Sequence, residues 1–274
     1  MLKTDAECQE LFFCRPDKAI EAYYPGYTAE VTEFIRLAQP YVRCKTLPMW
    51  DIWMRDFMPM PTDGEPLLFT YSPGYQTKAE SQKSQKTVQK YDLQLKRNSI
   101  KLDGGHLVFN GSGIGFLTDY VITLNQMPKA ELERKIKQAT GLEKIVWLPW
   151  HRSDITGHTD GLLQFLTDDV LLINQDTDFE THRQIIQKDC PNIAVVPIPC
   201  RYDSRQRKKF PSCCGIYTNF VQTQQAIFIP AYNTDLDEVV LKQFQSLTDK
   251  PVIPVCIEQT ALNGGSLHCL TRNF

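Results

Sequence analysis

Four short segments combine reactive side chains with glycine or an adjacent apolar run: Trp53-Met54-Arg55-Asp56, Asp103-Gly104-Gly105-His106, Gly157-His158-Thr159-Asp160-Gly161, and Asn263-Gly264-Gly265-Ser266-Leu267-His268-Cys269. Glycine in such company is expected where backbone and ligand approach closely. Taken singly, each has an ordinary structural explanation. Asp56 beside Arg55 fits an ion pair, Asp103 a turn opener, His158 a satisfied imidazole, and a lone cysteine an inert small hydrophobe. Taken together, Cys269, His158 and two carboxylates could converge on one centre. At 158–160 the two-residue period of an extended segment would place imidazole and carboxylate on one face. That arrangement suits a planar cation. A guanidinium carries five N–H donors in a fixed fork that carboxylates accept in pairs, so two aspartates could hold its edges and leave the central carbon open to the Cys269 thiol.

Hydrophobic patterning supplies the elements that would carry these residues. Helices with caps or polar faces are expected at 28–38, 79–93, 129–140, 178–188 and 235–247, with centres roughly 50 residues apart. Before them an apolar strand, a turn signal and a second apolar strand recur. Residues 66–71 follow Asp63-Gly64; 107–109 and 114–117 flank Asn110-Gly111; 162–166 and 170–174 flank Asp168-Asp169; 220–222 and 226–230 form a fourth pair. Further strands are expected at 144–148, 193–198 and 252–256. The order hairpin, helix, strand thus repeats about five times, its first copy divided between 11–14 and a C-terminal strand around Cys269. A divided copy would close a ring, although the periodicity also fits other α/β folds with mixed sheets.

Composition narrows the classes. The 274 residues are 42% apolar and 23% charged, which excludes disordered, collagenous and low-complexity chains. Thirty basic against 32 acidic side chains leave a net charge of -2, so no global field recruits nucleic acid or anionic lipid, and neither is expected as a partner. No apolar run approaches the roughly 20 residues of a membrane span, and charge interrupts the short apolar stretch near the N-terminus, which argues against a standard signal peptide. Nine cysteines without C-x-x-C spacing fit a reducing, cytoplasmic setting better than a disulfide framework or a zinc ribbon. Cys8, Cys14, His182 and Cys190 lack zinc-finger spacing, and the glycines of 111–115 belong to a hairpin turn, so no metal or nucleotide cofactor is expected. No linker divides the chain, so one domain, 1–274, is expected.

The set WMRDFMP, LDGG, GHTDG and GGSLHC resembles the motifs of the agmatine deiminase and bacterial peptidylarginine deiminase family, within the guanidino-group-modifying enzymes. The resemblance runs from about Asp51 to Arg272. It implies a single-domain α/β fold, the five-bladed pseudo-symmetric propeller of ββαβ units called the pentein fold, in keeping with the repeat. It implies Cys269 as nucleophile, His158 as general acid and base, and Asp56 and Asp160 as the carboxylates that hold the guanidinium. Asn219, in Tyr217-Thr218-Asn219-Phe220, matches a family segment and would offer its amide to substrate or hold the cysteine loop. Trp53 would stack on the substrate stem or cation; Asp103 would shape the site floor; Gly264 and Gly265 would line the substrate site. The implied reaction needs no cofactor: a thiouronium intermediate forms on cysteine, ammonia leaves, and water gives the ureido product.

Agmatine and water going to N-carbamoylputrescine and ammonia, a step toward putrescine, is the first reading. Peptidyl- or free-arginine deimination to citrulline is the alternative, and a non-catalytic binding member of the same fold is a second. Amidinotransferases and dimethylarginine hydrolases match the histidine and cysteine motifs less well. The partner is therefore a small guanidino compound, with self-association left open. Three departures bear on substrate. Agmatine deiminases are typically longer, so loops at the tail-binding end would be missing; Asp103 stands where many relatives carry glutamate; and the basic stretch 201–209 is either a solvated loop or a carboxylate recogniser that would favour arginine. The Cys213-Cys214 pair is expected to pack without bonding.

Overall fold

The computed structural model describes residues 1–90, 94–152, 154–207 and 210–274. The chain forms an α/β fold of two compact units, one of residues 1–4, 55–172 and 178–196, the other of 5–54, 173–177 and 197–274.

The expected repeat is present as a recurring sheet in which a central strand runs antiparallel to one neighbour and parallel to the other. In the second unit Glu10–Cys14 pairs antiparallel with Thr271–Asn273 and parallel with Arg43–Leu47, so the two ends of the chain do complete one copy. A further copy there joins Val221–Gln222, Ile227–Ala231 and Val252–Cys256 with the same senses. In the first unit Val108–Phe109, Ile114–Thr118 and Lys144–Leu148 repeat it. Leu67–Thr70 pairs parallel with Lys96–Lys101, and its antiparallel neighbour is reduced to one bridge, Met60 to Leu67. Leu163–Thr167, Val170–Asn174 and Ala194–Ile198 form the remaining three-stranded sheet, with Val170–Asn174 in the middle. Parallel neighbours need a crossover, and the helices supply it.

Helix faces follow the apolar spacing. Tyr27–Ala38 buries Tyr27, Val31, Phe34 and Ala38, and Lys129–Thr140 buries Leu132, Ile136 and Thr140, at three- and four-residue intervals that form one stripe. Lys129–Thr140 stops at Gly141, whose φ of 80° a residue with a Cβ rarely adopts. Thr77 and Glu80 close a reciprocal capping box at the start of Lys78–Gln89, the helix expected at 79–93; residues 91–93 lie outside the described residues. The core of the first unit gathers Leu2, Met60, Leu67, Phe69, Ile100, Leu102, Leu117, Leu132 and Ile136 from helices and strands alike. Among the described residues no helix is long and apolar enough to cross a membrane. None of the nine cysteines forms a disulfide, the adjacent Cys213 and Cys214 included.

Candidate active site

Strands in the first unit deliver two loops that bury polar side chains. The loop after Lys96–Lys101 turns through a 3-10 helix at Gly104–His106, and the loop before Leu163–Thr167 does so at Thr159–Gly161. Asp103 and His158 stand at the entries to these turns, and Asp56 lies on the short helix Met54–Phe57. Asp56, Asp103, His106, His158 and Asp160 are all buried, with none exposed above 7%. Residues 158–160 do not form an extended segment, so the two-residue alternation does not explain how their side chains meet. They meet because the 3-10 turn folds Asp160 back: a Cβ built on Gly105 would lie 2.7 Å from His158 Nδ1 and 3.1 Å from Asp160 Oδ1. Glycine is therefore required at 105. It is required at 104 as well, where a Cβ would fall 1.9 Å from the Arg55 carbonyl oxygen.

The imidazole of His158 lies among carboxylates. Its Nε2 is 3.3 Å from Asp103 Oδ2 and its Nδ1 is 3.8 Å from Asp56 Oδ1. The Gly105 N–H donates to Asp56 Oδ1 at 3.2 Å. Burial by itself drives His158 toward the neutral form, but Asp56, the hydrogen bond and charge of Asp103, and Asp160 outweigh it, so its pKa is raised and the ring is an imidazolium at neutral pH. Burial, then the charges of Asp103 and Asp160, raise the Asp56 carboxyl, while the imidazolium and the Gly105 N–H pull it back. Three carboxyl groups thus stand around one imidazole.

Reading the motifs for reactive groups passed over His106, which has a well-defined place. Its Nδ1 accepts the Asp103 N–H at 2.9 Å and its Nε2 is 2.9 Å from the Thr156 carbonyl oxygen. An Nδ1 that accepts leaves the proton on Nε2, which donates. Burial pushes its pKa down to about 4, against the pull of Asp103. The ligand atoms of Asp103, His106 and His158 lie within 4.8 Å of one another, a spacing that a metal ion could use. Both nitrogens of His106 are already engaged in hydrogen bonds, however, so it has no lone pair to offer without opening the Asp103 turn. The sequence signal for its role was its position two residues after the glycine pair's first member, with no spacing rule to interpret it.

The loop that carries His158 is itself fixed. Asp154 accepts the N–H and hydroxyl of Thr156 and the N–H of Gly157, and the Gly157 carbonyl accepts from the Thr118 hydroxyl at 2.6 Å. Gly157 has φ of 66°, and a Cβ there would lie 2.4 Å from the Tyr120 ring.

In the second unit, Cys269 is buried on the short helix Leu267–Leu270. Asn219 Oδ1 accepts the N–H of His268 at 3.1 Å and of Cys269 at 3.3 Å, so its carboxamide holds the cysteine turn. His268 Nε2 is 3.0 Å from Asp5 Oδ2, and Ser266 Oγ is 2.8 Å from the Tyr232 hydroxyl, which donates to the Ile216 carbonyl. Gly264 adopts φ of 97°, and Gly265 makes room for Trp53: a Cβ there would lie 2.3 Å from Trp53 Cζ3. Half-buried Trp53 also meets Tyr24 edge to face at 5.9 Å, and Tyr24 donates to Asp51 at 2.7 Å.

The basic stretch is committed internally. Arg201 forks onto Asp235, Arg205 pairs with Asp203 and Glu258, and Arg207 donates to the carbonyls of Pro25 and Gln259. Lys208 and Lys209 lie outside the described residues.

A family model described as Porphyromonas-type peptidyl-arginine deiminase matches residues 19–274. The C. jejuni agmatine deiminase structure superposes with a TM-score of 0.83 at 20% identity, covering 98% of this chain and 93% of that one. A dimethylarginine dimethylaminohydrolase structure from Pseudomonas aeruginosa gives 0.66 at 15% identity, covering 98% and 100%. Likeness at these identities shows a shared fold. In sequence, a Vibrio parahaemolyticus protein named "Putative agmatine deiminase" is 23% identical over 212 residues, 65% of this chain and 59% of that protein. The chain spans 56% to 59% of the length of such curated relatives. Because the family match takes in both buried clusters and nearly the whole chain, this protein belongs to the Porphyromonas-type peptidyl-arginine deiminase family.

Proposed function

We propose that the protein is a hydrolase that deiminates a small guanidino substrate, agmatine first, giving N-carbamoylputrescine and ammonia. The observation that carries this reading is the buried group of three carboxyls around His158, which calls for a cation with several N–H donors. Asp56 and Asp160 hold the guanidinium, and Cys269 as thiolate adds to its carbon. The substrate's own positive charge favours that thiolate. The adduct collapses as the His158 imidazolium protonates the departing nitrogen. Ammonia leaves and an S-alkylthiouronium remains. His158, now neutral, takes a proton from water; the hydroxide adds, the C–S bond breaks to release the thiolate, and the added oxygen gives up its proton to solvent as the neutral ureido product separates. A bound guanidinium shares the carboxylates that raise His158 in the empty site, so its pKa falls on binding and the ring can exchange protons in both directions. Asn219 keeps the cysteine turn in place, Trp53 flanks the substrate, and Asp103 anchors His158. Gly265 serves the substrate site by making room for the Trp53 ring, and Gly264 by letting the turn pass Phe210 and Pro211 with φ of 97°.

Agmatine is preferred over peptidyl or free arginine for two reasons. Arg201, Arg205 and Arg207, the described arginines that would greet a carboxylate, are engaged within the chain. The structural neighbours also include a C. jejuni agmatine deiminase variant with substrate bound. We read residues 1–274 as one cytoplasmic catalytic domain whose five sheet copies close into a five-bladed pseudo-symmetric propeller. The pairing of Glu10–Cys14 with Thr271–Asn273 supports that closure.

The test is a colorimetric ureido-product assay against agmatine, free arginine, methylated arginine and an arginine-containing peptide, with Cys269→Ala as control. Product from agmatine in the wild type and none in the variant is expected. Product only from arginine or peptide would overturn the agmatine assignment, and silence across the panel would leave another guanidino substrate or a binding member of the fold.

A further inference from the structure

Asp103-Gly104-Gly105-His106 and the His158 loop are joined by one side chain. The His106 ring accepts the Asp103 N–H through Nδ1 and donates to the Thr156 carbonyl through Nε2, both at 2.9 Å. It therefore ties the residue whose carboxylate contacts His158 to the carbonyl two residues before His158. The same ring stands edge to face against His158, with centroids 4.6 Å apart and planes at 89°. The Tyr120 ring lies 5.7 Å from that of His106, tilted by 36°, and Tyr120 also packs on Gly157. His106 is fully buried, so no water replaces a lost partner.

We infer that His106 is a positioning residue: it fixes the plane of the His158 imidazole and the approach of Asp103 to it, and does so as the neutral Nε2–H tautomer. This rests on the assignment of His158 as the acid and base. The neutral state matters because a proton on Nδ1 would remove the acceptor for Asp103 and set a second cation against the imidazolium. Burial of the ring opposes that proton, as does the charge of His158, while Asp103 and Asp154 favour it. His158 in turn faces Asp56, Asp103 and Asp160. Shortening or dropping either link lets the imidazole turn and lengthens the 3.3 Å contact with Asp103.

The side-chain chemistry of substitutes separates the two links. In His106→Asn the carbonyl oxygen occupies the place of Nδ1 and can accept the Asp103 N–H. In His106→Phe the ring and its edge contact remain but both hydrogen bonds go. The experiment is ¹⁵N NMR titration of the imidazoles in the intact protein, with His158 assigned by His158→Gln, alongside kcat and KM for the ureido product. In His106→Phe the His158 titration should move down by about one pH unit or more as Asp103 withdraws, a tenfold or greater change in its proton affinity. The kcat should fall about 10- to 100-fold with KM nearly unchanged, as expected for misplacement of a catalytic group by less than 1 Å. His106→Asn should restore most of both. An unmoved His158 titration in His106→Phe overturns the inference whatever the rate does. If the wild type proves inactive on every guanidino substrate while the His158 titration still moves, the deiminase reading falls and the positioning role stands.

Discussion

The loops 103–106 and 154–161 each bury a histidine, and the two rings lie 4.6 Å apart in opposite states. His158 meets side-chain carboxylates and holds a proton; His106 meets a backbone N–H and a backbone carbonyl and stays neutral. Burial acts on both in the same sense, against charge. What differs is the partner. Fixed dipoles satisfy a neutral ring, whereas three acid groups outweigh the desolvation of a charged one. Two identical residue types in one buried cluster are thereby divided into a reactive group and a rigid one.

The comparison breaks most readily at the reactive ring. His158→Gln keeps the bulk and loses the proton exchange, and should lower kcat by about 10²- to 10⁴-fold in the ureido assay. A variant retaining wild-type kcat would remove His158 from the chemistry. Asp160→Asn should damage both KM and kcat, because it removes charge from the side that holds the cation. Next comes Gly105→Ala. Its Cβ would sit 2.7 Å from His158 Nδ1, so the imidazole must shift; a loss of about 1–3 kcal/mol in urea melts is expected with at least a tenfold loss of rate.

Stability against pH sharpens the contrast because the two rings contribute with opposite slopes. His106 has a depressed pKa, so its contribution is full above its ordinary value near 6.5 and is lost as pH falls through about 4. It amounts to roughly 3 kcal/mol. His158 has a raised pKa, so its contribution is full below about 6.5 and is lost as pH rises through the folded value. Urea melts across pH should show a shallower acid limb in His106→Phe and a shallower alkaline limb in His158→Gln. The reverse assignment of limbs would contradict a neutral His106 beside a protonated His158. The smallest effect belongs to the basic segment: Arg201→Ala, which breaks an exposed pair with Asp235, should leave KM for agmatine within about twofold of wild type.

Much of this arrangement is legible in the sequence, for reasons that differ by element. Strands 144–148 and 252–256 fall where expected because short apolar runs bounded by turn signals leave few alternatives. Helices 28–38 and 129–140 agree with Tyr27–Ala38 and Lys129–Thr140 because their apolar stripes are regular. The charged strands Arg43–Leu47 and Lys96–Lys101 and the six-residue helices Lys18–Tyr23 and Tyr120–Asn125 carry no such pattern; tertiary pairing decides them. For the candidate residues, types and spacing single out Cys269, His158 and carboxylates, and it is the motif resemblance that names Asp56 and Asp160 among them. How His158 and Asp160 meet was not legible, because a 3-10 turn replaces the extended segment that strand alternation assumes. The double glycines read in the sequence as room for ligand. The geometry gives room for protein at Gly104, against the Arg55 carbonyl, and at Gly265, against Trp53. The part of His106 depends on two backbone partners, one three residues and the other 50 residues away, and no spacing rule encodes that.

The central claim is that Cys269 carries the guanidino carbon covalently. Five other thiols, Cys14, Cys44, Cys190, Cys200 and Cys214, have pKa values raised by burial and are poor competitors for an electrophile. The most direct measurement is mass spectrometry of enzyme mixed with agmatine and quenched in acid within the first turnovers, followed by peptide mapping. An adduct equal to agmatine less ammonia is expected on the peptide containing Cys269, and none in Cys269→Ala. Turnover with no adduct on that peptide, or an undiminished rate in the alanine variant, would contradict covalent catalysis by Cys269.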